Sequence, residues 1–130
     1  MDLLKELLGL PPGYGVFLSD LFSARDRAHE LHLATSSYAE HVALNELYEL
    51  LVEHADLMAE SYQGKYGKIP INVPASSIRW GQINAKTFVI ALTTFLETQA
   101  AHISDQVIVN QFQELLSEVY KIKYKIENLS

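Results

Sequence analysis

Five residues in the first half of the sequence have types and spacings suited to holding a metal ion. His29 and His32 are three residues apart, and Asp56 and Glu60 are four apart, so each pair shares one face if its segment is helical. His41 lies between the two pairs. Imidazole nitrogens and carboxylate oxygens together bind iron, manganese and zinc, so the ligand types do not select one metal. We therefore treat all five residues as candidate metal ligands.

Capping residues and apolar periodicity predict that both pairs lie on long helices. Ser19 is a favourable N-cap for a first helix over residues 19–35. Ser37 and Glu40 form a capping-box pattern, in which each side chain accepts the backbone N–H of the other residue, at the start of a second helix over residues 37–63. Gly64 is expected to end that helix. The predicted core positions are Leu21, Ala24, Ala28, Leu31 and Ala34 in the first helix, and Val42, Leu44, Leu47, Tyr48, Leu51, Val52, Ala55, Met58 and Ala59 in the second.

The rest of the sequence predicts three more helices and one long connection. A short amphipathic helix is expected over residues 2–8. Residues 64–82 contain two prolines and break the helical pattern, which indicates a crossover connection. A third long helix is expected over residues 83–102, and Ser104 and Asp105 cap a fourth. Long helices connected in the order short, long, short predict an all-α, ferritin-like four-helix bundle. The expected core positions of the last two helices are Ala85, Phe88, Val89, Leu92, Phe95, Leu96 and Gln99, then Val107, Ile108, Phe112, Leu115, Leu116, Val119, Ile122 and Ile126.

This arrangement separates the histidines from the acidic pair within one chain. A turn near Ser36 places His32 beside the start of the second helix, near His41. Asp56 lies 15 residues further along that helix, which is about 22 Å at the rise of an α-helix. Two copies related by a twofold axis, with their second helices antiparallel, would bring the histidines of one copy to the acidic pair of the other. The predicted site is therefore shared between subunits and occurs twice.

The stretch from His29 to Glu60 resembles the Dps-like mini-ferritins. Asn45-Glu46-Leu47-Tyr48, followed by Asp56-Leu57-Met58-Ala59-Glu60, is similar to the second helix of that family. The resemblance implies a homo-oligomer, at least a dimer through the second helix. It also implies a ferroxidase site between subunits that oxidises Fe(II) to Fe(III), with His41, Asp56, Glu60 and either His29 or His32 as ligands. The spacing matches from His29 without a gap, and His32 fits if the turn is three residues shorter.

The sequence also departs from the mini-ferritin pattern. Leu33 follows His32 where the family has a tryptophan, and Asn45 stands where an acid is common. The lysine- or arginine-rich tail by which some Dps proteins hold DNA is missing, since Lys5 is the only base among the first 24 residues. The chain is also similar to small ferritin-like proteins encoded by phages. The residues present therefore support metal binding better than they support oxidation of the bound metal.

Composition limits the remaining classes of function. The 130 residues suit a single domain, residues 1–130, and they include no cysteine, which fits a reducing cytoplasmic compartment. A net charge of -6 argues against a nucleic-acid partner, and no apolar run is long enough for a membrane-spanning helix. The alternative to a metal-binding oligomer is a non-enzymatic helical adaptor whose apolar faces dock a protein partner.

Overall fold

A computed structural model describes residues 13–73, 80 and 84–129, and every regular element in these residues is an α-helix. The helix predicted over residues 2–8 lies outside the described residues. Among them, no helix is long and apolar enough to cross a membrane. The described residues form four α-helices, α1 (Tyr14–Ala34), α2 (Tyr38–Tyr66), α3 (Ala85–Ala100) and α4 (Gln106–Leu129).

The helices form a four-membered bundle in which neighbours run antiparallel. The most extensive contacts join α1 to α2, α2 to α4 and α3 to α4, while α1 and α3 touch less. Lys65 near the end of α2 contacts Asp105 before α4, and Glu46 near the start of α2 pairs with Lys125 near the end of α4. These two ion pairs fix the opposite directions of α2 and α4. The predicted all-helical bundle is confirmed.

All four helices contribute to one apolar core. Most of the predicted core positions are buried, because they recur at the helical period on the inward face of each helix. Ala34, Val42 and Val107 were expected in the core and are exposed instead. Val107 lies on the outward side of α4, since Asp105 and Ile108 on either side of it are buried, and Ala34 is the last residue of α1. Val42 lies on the side of α2 that borders the histidines described below.

The start of α1 differs from the prediction. The helix begins at Tyr14 after Gly13, which has a φ of 76°, a conformation that glycine adopts at low cost. Ser19, the predicted N-cap, lies inside the helix, where its hydroxyl donates to the carbonyl of Gly15 at 2.7 Å. Inside a helix, a serine hydroxyl can instead donate to the backbone carbonyl one turn back. The sequence pattern therefore could not distinguish these two roles.

The start of α2 is capped as predicted, with one change in its hydrogen bonds. The hydroxyl of Ser37 accepts the backbone N–H of Glu40. The return bond of the capping box is absent, because the N–H of Ser37 donates to the hydroxyl of Thr35, and that hydroxyl donates to the Glu40 carboxylate. Thr35, Ser37 and Glu40 are thus joined by three hydrogen bonds across the turn between α1 and α2.

The other helix ends lie close to their predicted positions. α2 continues through Gly64 to Tyr66 and ends at Gly67, which has a φ of 92°. Asn84 caps α3 through a bond from the N–H of Thr87 at 2.8 Å. Asp105 caps α4, since its Oδ1 accepts the N–H groups of Val107 and Ile108. Of the predicted residues 83–102, the described helix includes only Ala85–Ala100.

The described parts of the crossover lie along α1. The N–H of Asn72 donates to the hydroxyl of Ser19 at 2.9 Å, and the indole N–H of Trp80 donates to the hydroxyl of Ser23 at 3.2 Å. Pro70 packs directly on Gly15. The described residues of the crossover therefore contact the first half of α1, at Gly15, Ser19 and Ser23.

Replacing Gly15 with alanine is expected to lower the free energy of unfolding. A Cβ at this position would overlap the carbonyl oxygen of Pro70, so the crossover must move, at a cost of about 1–3 kcal/mol. Gly64→Ala is the matched control, because a Cβ there meets nothing and alanine favours the helix by about 1 kcal/mol. Urea unfolding should show a lower free energy of unfolding for Gly15→Ala and a higher one for Gly64→Ala, each compared with the wild type. Equal stabilisation by both would contradict the packing of Pro70 on Gly15.

Candidate metal centre

His32 and His41 form a reciprocal pair across the turn between α1 and α2. The Nδ1 of His32 lies 2.6 Å from the carbonyl oxygen of His41, and the Nδ1 of His41 lies 2.8 Å from the carbonyl oxygen of His32. Their rings stack with centroids 3.7 Å apart and planes 18° from parallel. The prediction that the turn brings His32 close to His41 is confirmed.

These bonds fix which ring nitrogen carries the proton. A carbonyl oxygen only accepts hydrogen bonds, so each Nδ1 must be the donor. In the neutral ring, the Nε2 of each histidine is then the nitrogen with a free lone pair. Histidines that bind metals usually donate their other ring N–H to a carbonyl or carboxylate in this way. Each histidine therefore has the hydrogen bonding expected of a metal-binding imidazole. Because the stacked rings are only 18° from parallel, one ring must rotate before both Nε2 atoms can reach the same ion.

Both rings border an open groove between the end of α1 and the start of α2. His32 is 8% exposed, and His41 is partly buried. The groove is lined by His32, Tyr38, His41, Val42, Asn45 and Glu46. Tyr38 and Val42 are apolar and exposed at its rim, so the two histidines lie in a surface that is partly apolar.

His29 lies beside His32, with ring centroids 5.8 Å apart, but it is not part of the reciprocal pair. It is exposed, and its ring stacks on Tyr48 with centroids 4.2 Å apart. The hydroxyl of Tyr48 donates to the side-chain carbonyl of Asn45 at 2.7 Å, and the Asn45 amide donates to Glu49. Asn45 thus links Tyr48, on which His29 stacks, to Glu49 through hydrogen bonds. Sequence reasoning noted Asn45 only as a missing acid, although its spacing from His41 and Tyr48, one turn each way, could have indicated this role.

Asp56 and Glu60 are exposed on the second half of α2. Because α2 is unbroken from Tyr38 to Tyr66, the 15 residues from His41 to Asp56 correspond to about 22 Å. The structure therefore brings His32 and His41 together and keeps the acidic pair away from them. Within the described parts of one chain, no three His, Cys, Asp or Glu side chains are grouped as a metal site requires.

Comparison with known proteins identifies the family of the chain. Residues 32–126, nearly three quarters of the sequence, match a family described as a family of unknown function, DUF5856. The chain belongs to the DUF5856 family. The matched region begins at His32 and includes His41, Asp56 and Glu60, while His29 precedes it. No curated protein and no solved structure matches the chain.

Proposed function

We propose that this DUF5856 protein binds Fe(II) at sites shared between two copies of the chain. His32 and His41 of one copy supply imidazole nitrogens, and Asp56 and Glu60 of the other supply carboxylate oxygens. The observation that carries the proposal is the reciprocal pair, in which both Nδ1 atoms donate to carbonyls and both Nε2 atoms are left to bind. Of the two histidines that the sequence left open, this geometry favours His32.

The exposed face of α2 supports pairing with a second copy. Tyr38 and Val42 lie at the histidine end of α2, and Leu57, which is 49% exposed, lies beside Asp56. Antiparallel contact of two α2 helices would cover these apolar groups at both ends of the interface. Val42 and Leu57 are equally distant from a point between Glu49 and Leu50, so a twofold axis at that point would place Val42 of each copy against Leu57 of the other.

Charge makes that contact depend on cations. Glu49, Glu53, Asp56 and Glu60 are all exposed on α2, so two α2 helices without bound cations bring carboxylates of like charge together. A divalent ion between the histidines of one copy and the acids of the other offsets this repulsion. We therefore expect metal binding and association to occur together.

Oxidation of the bound iron is the second part of the proposal, and it follows from the resemblance to Dps-like mini-ferritins. Iron is the substrate: two Fe(II) ions each give one electron to hydrogen peroxide, which takes up two protons and leaves as two waters. The bundle fits a ferritin-like fold in its short, long, short connections and its antiparallel neighbours. The protein residues hold and orient the iron and keep the neutral imidazoles in one tautomer.

Anaerobic calorimetric titration of metal-free protein with Fe(II) tests the proposal. We expect saturable binding of about one ion per chain, because each twofold contact creates two sites, with a rise in molar mass by light scattering. Admission of peroxide should then oxidise the iron faster than buffer does. Glu53→Ala is the control for Asp56→Ala, since it removes a carboxylate one turn away on the same helix. A folded protein that binds no Fe(II) would refute the proposal.

One observation favours an adaptor function as the second candidate. Leu33 and Tyr38, at the α1–α2 turn, are 73% and 81% exposed, and Tyr38 and Val42 add apolar area to the lining of the histidine groove. Such a surface suits a protein partner. Binding of a partner that persists in the presence of chelator, with no Fe(II) binding in the titration, would support this candidate.

A further inference from the structure

The outer face of α3 carries little charge, although it is exposed to solvent. Only Lys86 and Glu97 are charged among the 16 residues of this helix, whereas the exposed side of α2 is acidic. The exposed residues of α3 are Lys86, Thr87, Ile90, Thr94, Glu97 and Thr98. A helix with so few charges on any side is typically covered on more than one side.

The centre of this face is apolar. Ile90 is 48% exposed, and Thr94 lies one turn further along the same side. The hydroxyl of Thr98 donates to the carbonyl of Thr94 at 2.8 Å, so it is already satisfied within the helix. Covering Thr98 with another protein surface therefore costs no hydrogen bond.

The two charged residues lie at opposite ends of one edge of this face. Lys86 and Glu97 are 11 residues apart, which is close to three whole turns of an α-helix. Neither side chain forms an ion pair with any residue that the structure describes. Glu97 accepts a hydrogen bond from the phenol of Tyr120 at 3.0 Å. One end of the edge is thus positive and the other negative.

We propose that the outer face of α3 binds the same face of a second copy, antiparallel about a twofold axis level with Leu92. In such a contact, a residue before Leu92 meets a residue equally far after Leu92 in the other copy. Lys86 of each copy then meets Glu97 of the other along one edge, and Ile90 meets Thr94 at the centre. The contact needs no cation, because it brings opposite charges together. It therefore does not depend on metal binding.

Two tyrosines of α4 extend the face along the edge that contains Lys86 and Glu97. Tyr120, which is bonded to Glu97, is 44% exposed, and Tyr124 is 59% exposed. Because α4 runs antiparallel to α3, Tyr124 lies one turn nearer to the level of Leu92 than Tyr120 does. Tyrosine is enriched in interfaces between proteins. In the proposed dimer, Tyr124 of each copy therefore lies close to the axis.

The contact through α3 leaves the exposed face of α2 accessible. Both α2 and α3 pack against α1 and α4, so α2 and α3 occupy diagonally opposite corners of the bundle. The α3 contact and the metal-dependent α2 contact therefore do not compete for the same surface. A chain with two different twofold contacts can join more than two copies.

Sedimentation equilibrium of the full chain in excess chelator tests the α3 contact separately from the α2 contact, which depends on cations. We expect the molar mass to rise with protein concentration towards twice the 14.7 kDa of one chain. A mass that stays at one chain up to about 1 mM protein, where even a millimolar dissociation constant would be visible, would overturn the proposal.

Exchanging the two charges identifies the face. Lys86→Glu and Glu97→Lys should each raise the dissociation constant of the dimer by about ten-fold, because like charges then meet twice. The double variant should return to the wild-type value, since both ion pairs form again with their signs exchanged. Lys68→Glu is the control, because it makes the same charge change at an exposed residue outside the helices. Single variants that associate like the wild type, or a folded double variant that stays monomeric, would overturn the proposal.

Ile90→Lys tests the apolar centre of the contact. Two lysines then lie on either side of the axis, and we expect association in chelator to be lost. The thermal melting curve should be unchanged, since Ile90 is half exposed in the single chain. Undiminished association of this variant would contradict the proposal. A wild type that is monomeric in chelator, and that binds another protein only while Ile90 is intact, would assign the face to that protein and also overturn it.

Discussion

Mixing two inactive variants is expected to restore about one quarter of the wild-type Fe(II) sites. His41→Ala removes an imidazole from every site, and Asp56→Ala removes a carboxylate from every site, so each variant alone should lose saturable binding. In an equal mixture, a working site needs an Asp56→Ala chain to supply the histidines and a His41→Ala chain to supply the acids. Each condition is met in half of the cases, which gives the quarter.

The mixture must be formed by refolding or co-expression so that the subunits exchange. Titration with Fe(II) counts the restored sites, and helical circular dichroism checks that both variants fold. His41→Ala also removes a hydrogen bond to the His32 carbonyl, so its melting curve is needed as a reference. Unimpaired binding by either single variant, or failure of the mixture to recover any sites, would contradict a site shared between two chains.

Replacing Asp105 is expected to destabilise the bundle more than the other substitutions considered above. Its Oδ1 caps α4 through Val107 and Ile108, and its Oδ2 is bonded to Lys65 and Tyr66. Asp105→Ala removes both sets of bonds and should lower the free energy of unfolding by about 3 kcal/mol. Asp105→Asn keeps the Oδ1 cap and should lose roughly 1–2 kcal/mol. Urea unfolding of the two variants separates the cap from the pair with Lys65 and Tyr66.

Acid should reduce the advantage of the wild type over Asp105→Asn. The hydrogen bonds from Lys65 and then from Tyr66 lower the pKa of Asp105 from 3.8 to about 2. Because the carboxylate is favoured in the folded state, its contribution is complete above about pH 4 and is lost as the pH falls towards 2, a change of about 2 kcal/mol. Unfolding measured at neutral pH and near pH 2 should show the two proteins converging. A constant difference across this range would contradict the pairing.

The helices could be predicted from sequence wherever the signal was local. The Ser37 cap depends on an interaction three residues away, and the inward faces of the helices follow from periodicity. The start of α1 could not be predicted, because Ser19 bonds Asn72, which is 53 residues away. Gly64 and Gly67 are equally good helix-ending residues in sequence, and only the structure shows that Gly67 has the positive φ.

In the candidate site, too, the features set by residues close in sequence could be predicted, and those set by distant contacts or ring orientation could not. The proximity of His32 and His41 follows from a short turn and was predicted. The reciprocal bonds to each other's carbonyls depend on ring orientation, which spacing does not define. The cluster at Asp105 was missed except for its cap, because Lys65 and Tyr66 are 40 and 39 residues distant. Contacts across the bundle require knowing which helices are neighbours.

The connections of the bundle also determine how the chain folds. α1 and α2 are joined by a short turn, as are α3 and α4, so each hairpin can form from contacts that are close in sequence. The contacts between α2 and α4 join residues 40 and 79 positions apart, and closing such loops costs chain entropy before any contact is gained. We therefore expect docking of the two hairpins to be the slow step of folding. Substitutions at the Lys65–Asp105 contact should accelerate unfolding more than they slow folding, since this contact forms late.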